Sequence, residues 1–157
     1  MIKKKLLYLI LILLNCIESL ADTTKKIEYA KTNEELRAEY VLTNMQQDYT
    51  ICYVFYKIGE EGIKKTGKNT DIAKGIEKSA DSSLKSAFET GELLEMTIEE
   101  MKKKVNSQIK IQSKEIENDY SNSSLLLNKY GNMCKNLIQN QKQRIMFWEK
   151  KALIKFK

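Results

Sequence analysis

The chain has 157 residues and a formal charge of +6, with 27 Lys or Arg against 21 Asp or Glu, and it contains neither histidine nor proline. Without histidine the commonest general base and metal ligand are missing, so Ser-His-Asp and Cys-His nucleophiles are excluded in their usual form. The absence of proline, the scarcity of glycine and the abundance of Lys, Glu, Leu, Ile and Asn point to an all-α chain.

The first 21 residues run from Lys3, Lys4 and Lys5 through an apolar stretch, Leu6 to Leu14, to Ser19-Leu20-Ala21. This is the order of a secretory signal peptide, and the apolar stretch is too short to span a bilayer, which takes about 20 residues. A mature chain starting near Asp22 is expected, exported to the periplasm or secreted. Two alternatives are an uncleaved amphipathic anchor and a lipoprotein acylated at Cys16. Leu13-Leu14-Asn15-Cys16 resembles a lipobox, although Asn15 stands where a small residue belongs.

Removing the leader leaves two cysteines, Cys52 and Cys134, and two cysteines in an oxidising compartment read as one disulfide. It also redistributes the charge. Residues 135–157 carry seven cations against Glu149 alone, whereas residues 22–134 sum to −2. The basicity belongs to the C-terminal end, and no basic body is present to follow a nucleic acid.

Residues 22–31 are a polar leader, and residues 32–157 form the domain. A first helix is predicted from Thr32 or Asn33, with Glu34 and Glu35 in its first turn, ending at Lys64-Lys65-Thr66-Gly67. Its inward positions are Val41, Met45, Cys52, Phe55 and Ile58 or Gly59. Tyr49, Tyr53 and Tyr56 wrap more than one side of it, so at least one of them cannot share the core of Phe55. All three are candidates for contact with a partner.

A second helix, capped at Asn69, Thr70 or Asp71, carries Ile72, Ile76, Ala80, Leu84, Ala87 and Leu94. Ala73, Gly75, Ser79, Ser83 and Gly91 make one of its sides small, which suits close packing or a groove. Thr97-Ile98-Glu99-Glu100 reads as a capping box opening a third helix through Met101, Val105, Ile109, Gln112 and Ile116. Residues 118–124 should break it; Asn122-Ser123-Ser124 is also a glycosylation sequon, relevant only in a eukaryotic source.

A fourth helix, from about 122 to 140, presents two stripes: Leu126, Tyr130, Met133 and Leu137, and Leu127, Cys134 and Ile138. With both thiols facing inward, the expected fold is a small bundle of about four helices with a disulfide joining the first and fourth. Residues 141–157 then form a basic amphipathic segment with Ile145, Trp148, Ala152 and Phe156 on one face. It either covers the end of the bundle or meets an anionic membrane or a partner, with Phe147 and Trp148 as candidate contacts.

No phosphate-binding glycine loop and no Cys-x-x-Cys pair occur, so neither cofactor nor metal is expected. Glu60, Glu61, Glu92, Glu95, Glu99 and Glu100 fall at helix ends or on polar faces, where a solvated role is expected. The reading that follows is a non-enzymatic helical module engaging another envelope protein. The alternatives are a structural protein bound to a membrane surface through residues 141–157 and, less favoured, a carboxylate-based cell-wall hydrolase.

Overall fold

A computed structural model describes residues 31–66 and 70–157, and among these every regular element is helical. The expectations for the leader, its cleavage site, Cys16 and the stop at Gly67 lie outside the described residues. Among the described residues five helices are present rather than about four: α1 (Asn33–Thr66), α2 (Thr70–Leu93), α3 (Ile98–Glu115), a composite α4 and α5 (Gln141–Lys155). The extra helix arises at Asn140, whose φ of −148° and ψ of 58° take the chain out of the helical region between α4 and α5.

The long α1 is the axis of the domain, and all the others pack against it. It starts at Thr32, whose hydroxyl accepts from the Glu35 amide at 3.2 Å while the Glu35 carboxylate accepts from the Thr32 amide at 2.7 Å. This reciprocal cap repeats at Thr97 and Glu100 at the start of α3, where the sequence announces it. The inward side of α2 draws on both expected faces: Ala73, Ser83 and Gly91 of the small side and Ala80 and Ala87 of the apolar one are buried, while Gly75 is exposed and Ile72 half exposed. Side chains without branches let the α2 backbone approach α1 closely, so small volume decides the packed face more than hydrophobicity does.

In α3 the expected apolar stripe is corrected. Met101, Gln112 and Ile116 are buried as expected, but Ile109 is turned outward and Gln108 is buried in its place. The Gln112 amide donates to the carbonyl of Ile51 at 2.9 Å. Lys104 donates to Gln46, itself buried, at 2.9 Å. Polar side chains thus join α3 to α1 where a purely apolar seam is expected, and each supplies a partner to a buried polar group.

The α4 region does not form the uniform helix expected over 122–140. It opens with a 3₁₀ turn (Tyr120–Ser123), continues as a short α turn (Ser124–Leu126) and a π turn (Leu127–Gly131), and settles into α-helix over Asn132–Gln139. The 3₁₀ turn lies against Gly62 of α1, where a Cβ would stand 2.7 Å from Ser123 Oγ and 2.9 Å from the Tyr120 carbonyl oxygen. In the sequon, the Asn122 amide nitrogen donates to the Ile116 carbonyl at 3.3 Å. The π turn shifts the register, burying Leu126 and leaving Leu127 60% exposed.

Cys52 and Cys134 lie at disulfide distance, Sγ to Sγ 2.06 Å and Cα to Cα 5.3 Å, and both are fully buried. Around them Met45, Tyr49, Val54, Phe55, Ile58, Ile116, Leu126 and Leu137 make the core.

Two polar clamps fasten α5 to α1. Asp48, 4% exposed, accepts from Arg144 Nε at 2.7 Å, from Arg144 Nη2 at 3.0 Å and from the Trp148 indole at 2.6 Å. Just past the end of α5, the carbonyl of Phe156 accepts two bonds from Arg37, at 3.0 and 2.6 Å. Tyr40 packs edge-on against both Trp148 and Phe156. The chain has only two arginines, Arg37 and Arg144, and both serve here. A planar guanidinium presents paired N–H donors in a fixed fork, which a lysine ammonium does not.

Candidate binding groove

A groove of about 630 Å³ lies between α1, α2 and α4. Phe55, Tyr56 and Gly59 of α1 form its floor. Ile76 and Ser79 of α2 stand on one side, and Leu127, Gly131 and Ile138 of α4 on the other. Asn128, Asn132, Lys135 and Gln139 complete the α4 wall with amides and one cation.

Local sequence explains why a groove forms here. Gly59 leaves open space, since a Cβ built on it meets nothing within 4 Å. Gly131 does the opposite: a Cβ there would stand 2.8 Å from Leu127 Cδ1, so the glycine lets the Leu127 side chain fold over the π turn. The second α4 stripe predicted from sequence is therefore divided. Cys134 goes to the core, whereas Leu127 and Ile138, 60% and 37% exposed, face the groove.

The cysteines lie directly beneath. Tyr56 is one helical turn beyond Cys52, and Gly131 and Ile138 are one turn before and after Cys134, so the two sulfurs at disulfide distance stand between floor and wall. Phe55 contacts Tyr56 at 5.1 Å between ring centroids and Tyr130 at 6.5 Å, which gives the floor an aromatic backing. Burial pushes the Tyr56 hydroxyl above its ordinary pKa, so the groove floor stays neutral through physiological pH.

The five residues singled out as partner contacts do not form one surface. Tyr56 lines the groove, and Tyr53 is half-buried against the core. Tyr49 is buried, its pKa raised by desolvation against the lowering effect of a hydrogen bond with Ser86 of α2. Trp148 is half-buried on the Asp48 clamp. Phe147, 41% exposed, lies on the outer side of α5 with the Arg144 guanidinium 4.6 Å from its ring centre.

The carboxylates expected to be solvated include one that is not. Glu60 is fully buried, its oxygens paired with Lys57 and Lys64 of the same helix at 2.5 Å each. The hydrogen bond from Lys57, followed by that from Lys64, holds its pKa below the ordinary carboxylate value. The group is thus kept charged, whereas a general acid needs the opposite shift. Glu61, Glu92, Glu95, Glu99 and Glu100 are exposed. Among the described residues no cluster of three or more His, Cys, Asp or Glu is placed to hold a metal, and no helix is long and apolar enough to cross a membrane.

Ile76, Ser79, Leu127, Asn128 and Asn132 were not singled out as site residues from sequence. The signals for them were the small side of α2 and Gly131, both visible as places of close approach; the π turn that rotates Leu127 outward has no such signature. Comparison with protein-family models, with curated proteins and with solved structures gives no match for this chain.

Proposed function

We propose that the chain is an exported, non-enzymatic helical module that seats an apolar helical segment of another envelope protein in the groove between α1, α2 and α4. The observation that carries this reading is the groove's composition: an apolar floor and walls, exposed Leu127 and Ile138 at its lip, small residues where a backbone approaches, and one cation among amides at the rim. Helix-in-groove recognition uses such a surface, with apolar anchors at three- and four-residue spacing. Lys135 favours an acidic residue at the edge of the bound segment.

In this reading Cys52 and Cys134 are covalently joined after export, linking the first helix to the fourth once the leader has been cleaved near Asp22. The bond holds the groove preformed, which lowers the ordering cost of binding.

A photo-reactive phenylalanine analogue placed at Asn132 tests the proposal in intact cells. One discrete crosslinked protein is expected, identified by mass spectrometry. The product should disappear when Gly59→Trp fills the groove, and the same probe at Lys102 on α3 should not yield it. Gly59 has the space to accept a side chain, so the plugged variant should keep the wild-type far-UV spectrum. Absence of a crosslink from Asn132, or one that persists in Gly59→Trp, would overturn the reading.

A further inference from the structure

The sequence marks one face of α5, carrying Ile145, Trp148, Ala152 and Phe156, and the structure turns that face inward against α1. A second apolar face is left outside. Met146 and Phe147 are 44% and 41% exposed, and one and a half to two turns later Leu153 and Ile154 are 52% and 67% exposed. Between these two apolar pairs stand Lys150 and Lys151, with Lys142 before them and Lys155 and Lys157 after, all exposed. Glu149 is the only acid on the helix. The outward surface thus runs apolar, basic, apolar along about 10 Å of helix.

We infer that this outward face of α5 docks the protein on an anionic lipid surface. Large apolar side chains enter the boundary between headgroups and acyl chains, while lysine stems lie along them and carry their ammonium groups back to the phosphates. The pattern suits lipid better than the alternatives. A second copy meeting this face by two-fold symmetry would set Lys150 and Lys151 against like charges. Protein interfaces, for their part, are depleted in lysine and enriched in arginine, and both arginines of this chain are committed to the inner clamps. Beside Leu153 a mainly apolar cleft of about 550 Å³, lined by Ala38, Val41, Leu42 and Ala152 with Arg37 and Glu149, continues the surface between α5 and α1. The inference is independent of the groove, which lies on other residues.

Residues 22–157 include the compact unit Thr32–Lys157 and serve for the test. The protein is sedimented with vesicles of phosphatidylcholine alone or with about one-third phosphatidylglycerol, at low and high salt. Binding to the anionic vesicles is expected, weakened at high salt by screening. Lys150→Glu with Lys151→Glu should lower the partition coefficient more than tenfold, since each surface lysine contributes about fivefold. Phe147→Ser with Ile154→Ser should also lower it at unchanged helicity, which separates docking from charge attraction alone. No binding, equal binding to neutral and anionic vesicles, or binding unaltered in either variant would overturn the inference.

Discussion

The Asp48 carboxylate is the joint on which α5 depends, and its removal gives a prediction with a definite size. Asp48→Ala deletes the acceptor of three short bonds and leaves Arg144, whose side chain is only 22% exposed, without its counter-charge. Breaking a buried ion pair by removing one partner costs about 3–5 kcal/mol, and the partial water access of Arg144 places the cost near the lower end, about 3 kcal/mol. Set against a total stability of about 5–15 kcal/mol for a domain of this kind, that is a large share. Urea unfolding followed by fluorescence and by far-UV circular dichroism measures it. Trp148 is the only tryptophan, so its emission reports on the clamp itself while the dichroism reports on all five helices. In Asp48→Ala the fluorescence transition should precede the dichroism transition as α5 comes away first. Asp48→Leu combined with Arg144→Met should recover most of the loss, because an apolar pair of similar volume carries no stranded charge. A loss below about 1 kcal/mol for Asp48→Ala, or a double-mutant cycle with no coupling between Asp48 and Arg144, would refute this account of how α5 is held.

Three further outcomes are expected. Gly59→Ala should stabilise by about 0.5–1 kcal/mol, because the new methyl meets open space in a helix interior, whereas Gly62→Ala should destabilise by about 1–3 kcal/mol against Ser123 and the Tyr120 carbonyl; denaturation midpoints of the two variants check the sign of each. Glu60 has a folded pKa below its unfolded value, so its contribution is fully present above the ordinary carboxylate pKa and is lost as pH falls through the depressed one. Stability should therefore decline on acidification below about pH 5, and the decline should be shallower in Glu60→Gln. Tyr49 and Tyr56 have pKa values raised by burial, so the neutral phenols favour the fold below their unfolded pKa, and stability is lost as pH climbs through the raised values; alkaline titration of Tyr49→Phe should show a smaller loss than wild type.

Much of the architecture was legible because it rests on local chemistry. Thr97 and Glu100 specify their own cap within four residues, and the paired cysteines sit at inward positions of apolar stripes that bring α1 beside α4. Of the small side of α2, which announces close packing, Ala73, Ser83 and Gly91 are buried, whereas Gly75 is exposed. What escaped the sequence reading depends on contacts distant along the chain. Asp48 opens an apolar stretch and looks like a helix surface residue until Arg144 and Trp148, 96 and 100 residues later, make its burial tolerable. Gln112 was expected on the inward stripe of α3, but its partner, the Ile51 carbonyl 61 residues earlier, was not. Glu60 differs, since its partners Lys57 and Lys64 are local and the spacing was readable; its complete burial was not. Leu127 and Ile138 reached the groove through a π turn, a one-residue shift that periodic reading at 3.6 residues does not register.

The sulfurs of Cys52 and Cys134, 82 residues apart, lie at disulfide distance, and the bond proposed between them to hold the groove is worth about 4.5 kcal/mol by loop entropy. Alkylation of the protein taken from its own cells under denaturing, non-reducing conditions, followed by intact mass, tests this most directly. The prediction is a chain beginning near Asp22, two hydrogens lighter than its sequence and carrying no alkyl adduct. Two adducts on Cys52 and Cys134 would contradict it.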